Sequence, residues 1–324
     1  MSRKADMLAA LQRRQPADRV PLWELEFHIW DQASGKHVIL GREFEKLTSA
    51  QQEEALHTNA EIILSVSEDM QFSAVTVPGR FWEVAPGEPA YYWLPEEAHL
   101  RQLQILRKMA GDIVLVVGAG GVMCMPGALE YEDFAIKLFE APDEIEARAQ
   151  NGSKRGIERL KLVQDHGADA VFTASDIADN HGPFFNPAQM DRFILPFAKL
   201  WANAAHALGM PCIFHSDGNL MPVLEGLAST GVDALQAIDP VAGMDIMKVR
   251  DLARGRLCLC GNVDCGLLLT GTPDQVYAAT TNLLNQVKPG GAFVLGASNA
   301  VDRATPVQNY RALTAAHRDH GKYH

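Results

Sequence analysis

The residues best suited to chemistry follow apolar runs that are predicted to be buried strands. His215 lies at the end of the run at residues 211–216, Asp217 follows that run, and Asp176 follows an earlier run of the same kind. A histidine and a carboxylate at this spacing can act as an acid–base pair or bind zinc. We therefore predict His215, Asp217 and Asp176 as catalytic residues. The simpler alternative is structural, with a hydrogen-bonded histidine and a helix-capping aspartate.

Three ionisable residues alternate along the first predicted strand. Glu24, Glu26 and His28 share one face of an extended segment, because successive side chains point to opposite sides. Buried charges must be paired, so such a set is unusual in a plain core. We predict that all three bind substrate and that Glu26 joins His215 and Asp217 as metal ligands. A salt-bridged layer inside the protein is the alternative.

The last three predicted strands end in neutral or acidic residues. Gln236, Asn262, Ser298 and Asn299 are the candidates there. Their amide and hydroxyl groups suit hydrogen bonds to an uncharged or cationic molecule. We predict that they bind substrate.

Eight strand-like runs, mostly separated by helical patterns, must position these residues. Such alternation predicts parallel strands joined by helical crossovers, and eight units close into a (β/α)8 barrel with its active site at the carboxyl ends. A doubly wound sheet is disfavoured because no G-x-G-x-x-G follows the first run. We predict an α/β TIM barrel, one domain over residues 1–324, with an N-terminal helical extension and a rim excursion at residues 78–95. The runs are 20–25, 71–75, 113–117, 168–174, 211–216, 234–238, 257–262 and 292–297.

Composition excludes several classes of protein. The 324 residues are 47% hydrophobic and carry a net charge of -11, which argues against nucleic acid and anionic membrane partners. The longest apolar runs are too short to cross a bilayer, and the first residues lack the apolar stretch of a signal peptide. We therefore expect a cytoplasmic protein; the oligomeric state is open.

The cysteines are expected to be free thiols. There are five, an odd number, and this argues against a disulfide framework. Cys258, Cys260 and Cys265 are clustered but lack the Cys-x2-Cys spacing of structural zinc sites. We predict that they pack as small apolar residues.

Several short motifs occur in an order that is specific in combination. They include Gly167-Ala168-Asp169, Phe185-Asn186-Pro187, His215-Ser216-Asp217-Gly218-Asn219, Gly231-Val232-Asp233 and Gly261-Asn262-Val263-Asp264. Over nearly its whole length the chain resembles the uroporphyrinogen decarboxylase-like superfamily, which also holds corrinoid-dependent methyltransferases. The resemblance implies a (β/α)8 barrel, in agreement with the pattern of runs.

The residues after the first strand separate the branches of this superfamily. Authentic decarboxylases carry an arginine-rich R-Q-A-G-R stretch there, whereas this chain has Glu24-Leu25-Glu26-Phe27-His28. Acids in place of guanidinium groups would repel a substrate with several carboxylates. The chain therefore resembles the methyltransferase branch more than the decarboxylases.

The zinc site of that branch is also altered. Its zinc enzymes use His-x-Cys after the fifth strand and a cysteine after the eighth, where this chain has His215, Asp217 and Ala297. The resemblance implies transfer of a methyl group from a small methyl ether or methylamine to a corrinoid carried by a partner protein, with zinc as the candidate metal. A different lyase on the same barrel and a catalytically inactive binding protein are the alternatives.

Overall fold

Seven parallel strands form the central sheet of the computed structural model, which describes residues 2–79 and 92–323. Their order is β1-β2-β3-β6-β7-β8-β9, and each pairs in parallel with its neighbour. A short antiparallel pair, β4 and β5, lies in the loop after β3. The strands are β1 Ala74–Thr76, β2 Val114–Gly118, β3 Ala170–Ala174, β4 Ala178–Asp179, β5 Gly182–Pro183, β6 Cys212–His215, β7 Ala234–Gln236, β8 Cys258–Val263 and β9 Phe293–Ala297.

The first predicted strand closes the barrel as an extended segment. On one side the Trp23 amide donates to the Leu295 carbonyl at 3.0 Å, and on the other the Ser73 amide donates to the Leu22 carbonyl at 2.8 Å. Gly296 permits this approach, because a Cβ there would lie 2.3 Å from the Trp23 carbonyl oxygen. With this segment the wall has eight members, and the predicted (β/α)8 barrel is confirmed.

The helices begin where the sequence supplies capping groups. Thr48 and Thr272 each accept a hydrogen bond from the backbone three residues on, within a capping box. The helices are α1 Arg3–Leu11, α2 Trp30–Ser34, α3 Gly41–Glu45, α4 Ser49–Asp69, α5 Glu96–Met109, α6 Tyr131–Glu140, α7 Pro142–Asp165, α8 Pro187–Gln189, α9 Leu195–Ala207, α10 Leu224–Ala228, α11 Ile246–Ala253, α12 Cys265–Thr270, α13 Pro273–Val287 and α14 Val307–His320.

A π-helical turn interrupts one region that has the pattern of a single helix. Met190–Ile194 is π-helical and separates α8 from α9. Pro196 is the second residue of α9 and has no amide hydrogen, so the regular α-helical bonding cannot continue through this point.

Two hydrophobic clusters lie on the two sides of the sheet. One fills the barrel interior and contains Trp23, Phe172 and Ile213 together with Met7 and Leu11 of α1. The other lies between the strands and the outer helices. Helix α1 therefore closes the base of the barrel, and the predicted N-terminal helical extension is confirmed.

The cysteine and membrane predictions can also be compared with the structure. Cys258 and Cys260 lie in the interior cluster and are buried, as expected for small apolar side chains. Among the described helices, none is both long enough and apolar enough to cross a bilayer. Most of the rim excursion predicted for residues 78–95 lies outside the described residues.

Candidate active site

His215 ends strand β6, and a neighbouring side chain fixes its ring. Its Nδ1 lies 2.5 Å from Oε1 of Gln236, its register partner on β7. The Gln236 amide nitrogen donates to the Ala297 carbonyl at 3.4 Å, which turns Oε1 toward the histidine. Nδ1 therefore carries the hydrogen of a neutral ring, and the Nε2 lone pair is free to accept a proton or bind a metal.

Two carboxylates lie beside that nitrogen. Asp176 Oδ1 is 3.6 Å and Asp217 Oδ1 is 3.8 Å from His215 Nε2. The three candidate ligand atoms all lie within 4.8 Å of one another. We call Asp176, His215 and Asp217 the mouth group, because they sit at the carboxyl ends of the strands. One nitrogen and two oxygens form a donor set that suits zinc.

Asp217 has an oxygen that lacks a partner. Its Oδ2 accepts a hydrogen bond from the Asn299 amide at 2.7 Å, whereas its Oδ1 is buried and accepts none from the described residues. Burial raises the pKa of Asp217, and the nearby charges of Asp176 and Asp239 act in the same direction. A buried acceptor without a donor is costly, so the site fits a group that supplies positive charge, either a proton or a metal ion.

Backbone contacts hold the two strand ends together. The Asp217 amide donates to Asp176 Oδ1 at 3.1 Å, and the Ile177 amide donates to Ser216 Oγ at 3.1 Å. Gly218 follows with a φ of +85°, and a Cβ there would lie 2.5 Å from the Asp179 carbonyl oxygen. The glycine after Asp217 therefore lets the chain turn tightly against β4.

Glu24 is deeply buried in the barrel wall. It accepts hydrogen bonds from the Tyr310 hydroxyl at 2.7 Å and the Ala297 amide at 2.9 Å. Burial raises its pKa to about 8, and these two bonds only partly oppose that effect. Burial therefore favours the neutral form of the Glu24 carboxyl group. Its role as a substrate-binding residue stays a prediction.

Glu26 pairs with His28 and lies outside the mouth group. The Glu26 Oε2 is 3.0 Å from His28 Nε2, and the His28 ring stacks on Tyr92 with centroids 4.1 Å apart. The third candidate ligand beside His215 and Asp217 is therefore Asp176 rather than the predicted Glu26. Strand alternation predicts the shared face of Glu26 and His28 but not their pairing with each other.

The other predicted substrate-binding residues connect neighbouring strand ends. The Asn262 amide donates to the Ile238 carbonyl at 2.7 Å, and Ser298 Oγ accepts from the Cys265 amide at 3.4 Å. Asn299 contacts Asp217 directly, and Gln236 contacts His215. In the described structure Gln236 thus orients His215, a role that depends on strand register, which the sequence pattern does not reveal.

A second histidine-containing group lies at the opposite end of the barrel. His206, Cys212 and Asp233, which we call the base group, also bring their candidate ligand atoms within 4.8 Å. Cys212 is the first residue of β6, so this group is at the amino ends of the strands. That face of a barrel usually contributes stability rather than catalysis.

Comparisons with known proteins agree with the fold. Residues 96–320 match the family model described as uroporphyrinogen decarboxylase (URO-D). A uroporphyrinogen decarboxylase from Coxiella burnetii is 27% identical over 183 residues, covering 55% of this chain and 48% of that protein. The methylcobamide:CoM methyltransferase MtbA from Methanosarcina mazei is 23% identical over 219 residues, covering 66% and 61%. The chain thus spans about half the length of the first of these relatives.

The structural comparison adds a full-length match. A solved structure described as a methyltransferase from Methanosarcina mazei aligns with a TM-score of 0.73 and 20% sequence identity, covering 98% of this chain and 99% of that one. At this identity the likeness shows a shared fold. Because the family model covers more than half of its residues, the chain belongs to the uroporphyrinogen decarboxylase (URO-D) family.

Proposed function

We propose that this protein is a methyltransferase that moves a methyl group from a small methyl ether or methylamine to a corrinoid carried by a partner protein. The observation that carries the proposal is the mouth group, in which the buried Asp217 Oδ1 lies 3.8 Å from His215 Nε2 and accepts no hydrogen bond from residues 2–79 and 92–323. Similarity to a methylcobamide:CoM methyltransferase supports the reaction class. A cytoplasmic location, expected from the sequence, belongs to the same proposal.

Zinc fits the mouth group on the chemistry of its donors. His215 Nε2 and carboxylate oxygens of Asp176 and Asp217 would hold it. When bound, the ion would supply Lewis acidity that draws electron density from the heteroatom losing its methyl group. Gln236 keeps the His215 lone pair available, and Asn299 holds the Asp217 carboxylate in place. The corrinoid belongs to the partner, so no residue of this chain is assigned to it.

Uroporphyrinogen decarboxylation is the less favoured activity. Glu24 and Glu26 stand where decarboxylases carry arginines, and each lost charge-assisted contact to a substrate carboxylate is worth roughly 1.5–3 kcal/mol. Losing two or three such contacts would weaken binding by several powers of ten, since each 1.4 kcal/mol is about tenfold. We therefore expect no measurable formation of coproporphyrinogen.

The test is a paired assay on the purified protein. It is incubated with a panel of methyl ethers and methylamines plus a reduced corrinoid, and separately with uroporphyrinogen. We expect methyl-corrinoid to form, to be lost in His215→Ala and to persist in the control His206→Ala. Robust coproporphyrinogen formation would contradict the proposal. Inactivity in both assays would favour another lyase reaction or an inactive binding protein.

A further inference from the structure

A cavity of about 490 Å³ lies beside the barrel mouth. Helices α2 and α3 and the segment after β9 contribute its lining. Its apolar lining includes Trp30, Val38 and Leu40, and its charged lining includes Arg42 and Arg303. The cavity is large enough for a small organic molecule.

The two acidic side chains of this cavity, Asp31 and Glu43, both contact His37. His37 Nδ1 lies 2.5 Å from Asp31 Oδ2, and its Nε2 lies 2.8 Å from Glu43 Oε2. These bonds, first that to Asp31 and then that to Glu43, raise the pKa of His37. When His37 is protonated, its positive charge lies between the two carboxylates and offsets part of their negative charge.

The guanidinium group of Arg42 is available to bind a ligand. It is exposed, and it forms no hydrogen bond or ion pair with the described residues, even though Glu43 follows it in sequence. Arg303 is held differently, since its carbonyl accepts a hydrogen bond from the Gln32 amide at 2.7 Å. That bond fixes its backbone against α2. Guanidinium groups bind carboxylates through paired, charge-assisted hydrogen bonds.

Chain connectivity places the cavity close to the mouth group. Arg303 follows Asn299 by four residues, and Asn299 donates to Asp217. Four residues span at most ~14 Å when fully extended. On the other side, His28 lines the cavity and pairs with Glu26. A molecule of moderate length held in the cavity could therefore extend toward the mouth group.

We propose that this cavity binds the carboxylate of a small, partly apolar organic acid, with Arg42 as the recognising side chain. We place the methyl-bearing end of the same molecule at the mouth group, and this step rests on the proposed function. The donor would then be a methyl ether or methylamine with one carboxylate. One carboxylate needs far fewer basic partners than a porphyrinogen with several.

The binding test uses benzoate and benzamide as probes, which match in shape and differ in charge. Binding to the full chain is measured by NMR titration for the unaltered protein, Arg42→Met and the control Arg318→Met on α14. We expect benzoate to bind more tightly than benzamide and to weaken about tenfold in Arg42→Met, the loss of one charge-assisted contact. Arg318→Met should behave like the unaltered protein. Equal binding of the two probes, or unchanged benzoate binding in Arg42→Met, would overturn the proposal.

A turnover test separates this inference from the proposed function. Methyl-corrinoid formation is compared for 4-methoxybenzoate and for 4-methoxybenzamide, which lacks the carboxylate. Preference for 4-methoxybenzoate that disappears in Arg42→Met supports both proposals. Selective benzoate binding without methyl transfer from any donor would overturn the proposed function and leave the carboxylate site standing. Transfer that is equally fast from both donors would overturn the assignment of this cavity to the methyl donor.

Discussion

The mouth group and the base group lie at opposite ends of the same strand, β6, and use similar side chains. In the base group, Asp233 accepts hydrogen bonds from Arg13 at 2.8 Å and the Cys212 amide at 2.9 Å, and it pairs with His206 at 2.7 Å. In the mouth group, Asp217 Oδ1 is buried and accepts none from the described residues. Residue type alone does not separate the two groups, whereas hydrogen-bond saturation does.

A second aspartate, Asp169, has the same kind of hydrogen bonds as Asp233 of the base group and has a structural role. Asp169, in Gly167-Ala168-Asp169, accepts from the Leu115 amide at 2.9 Å and pairs with Arg107 at 2.6 Å and Lys4 at 2.5 Å. Asp233 occupies the same place in Gly231-Val232-Asp233. Both carboxylates connect the start of one strand to its neighbour. From this difference we predict that the base group contributes stability and that the mouth group binds a ligand.

The largest expected effect is loss of stability on breaking the base group. Asp233→Ala would leave Arg13 and the buried Cys212 amide without their acceptor, at a cost of about 3 kcal/mol in unfolding free energy. His206→Ala should cost less than about 1 kcal/mol, because His206 is a partly exposed partner. Urea unfolding measures both. If Asp233→Ala lost little unfolding free energy but no longer bound zinc, the base group rather than the mouth group would be the metal site.

At the mouth group, Asp217→Asn should lower zinc affinity and leave the unfolding free energy nearly unchanged. It removes a ligand charge, so we expect zinc affinity to fall roughly 100-fold, which corresponds to about 2.7 kcal/mol. Unfolding free energy should hardly change, because Asp217 Oδ1 has no donor to lose in the part of the chain that the structure describes. Zinc affinity is measured by calorimetric titration and unfolding free energy by urea unfolding, for both Asp217→Asn and Asp233→Asn. Equal zinc binding in the two variants and the unaltered protein would argue against a metal at the mouth.

Gln236→Leu should produce a smaller effect at the same site. Without the Gln236 oxygen, the His215 ring loses the bond that fixes its protonated nitrogen. Loss of such an orienting partner typically lowers metal affinity by about tenfold or more. Zinc titration measures the change. Gln236→Glu, which keeps an acceptor oxygen, is the matched variant and should retain more affinity than Gln236→Leu.

The smallest expected effect is a pH dependence of zinc binding. A raised pKa means that Asp217 is protonated at a higher pH than an ordinary aspartate, and a proton on the carboxylate competes with the metal. Zinc affinity should therefore fall as the pH is lowered and the Asp217 carboxylate becomes protonated. Titrations at several pH values measure it. A plot of zinc affinity against pH should be less steep for Asp217→Asn than for the unaltered protein. An unchanged slope of that plot would exclude Asp217 as a ligand.

Much of the barrel could be predicted because its strands are short apolar runs between turn signals. The run at 211–216 contains the observed β6, and that at 168–174 contains β3. These two strands are neighbours, so Asp176 and His215 meet at their carboxyl ends. The extended form of the first segment and the π-helical turn at Met190–Ile194 depend on packing and hydrogen bonding that periodicity does not encode.

The finer details of the site depend on contacts that are distant in sequence. Glu24 obtains a hydrogen bond from Tyr310 on the last helix, and Gln236 reaches His215 through strand register. Glu26 finds His28 two residues away, which leaves Asp176 in the place expected for Glu26. The extent of the domain over residues 1–324 and the roles of the site residues stay predictions.

The most direct test of the central claim is the position of a bound metal. Crystals of the protein grown with zinc are measured on both sides of the zinc absorption edge, and an anomalous difference map is calculated. We predict a peak within coordinating distance of His215 Nε2 and carboxylate oxygens of Asp176 and Asp217, and none at His206, Cys212 and Asp233. A peak at the base group, or no peak at the mouth group under zinc excess, would contradict the account.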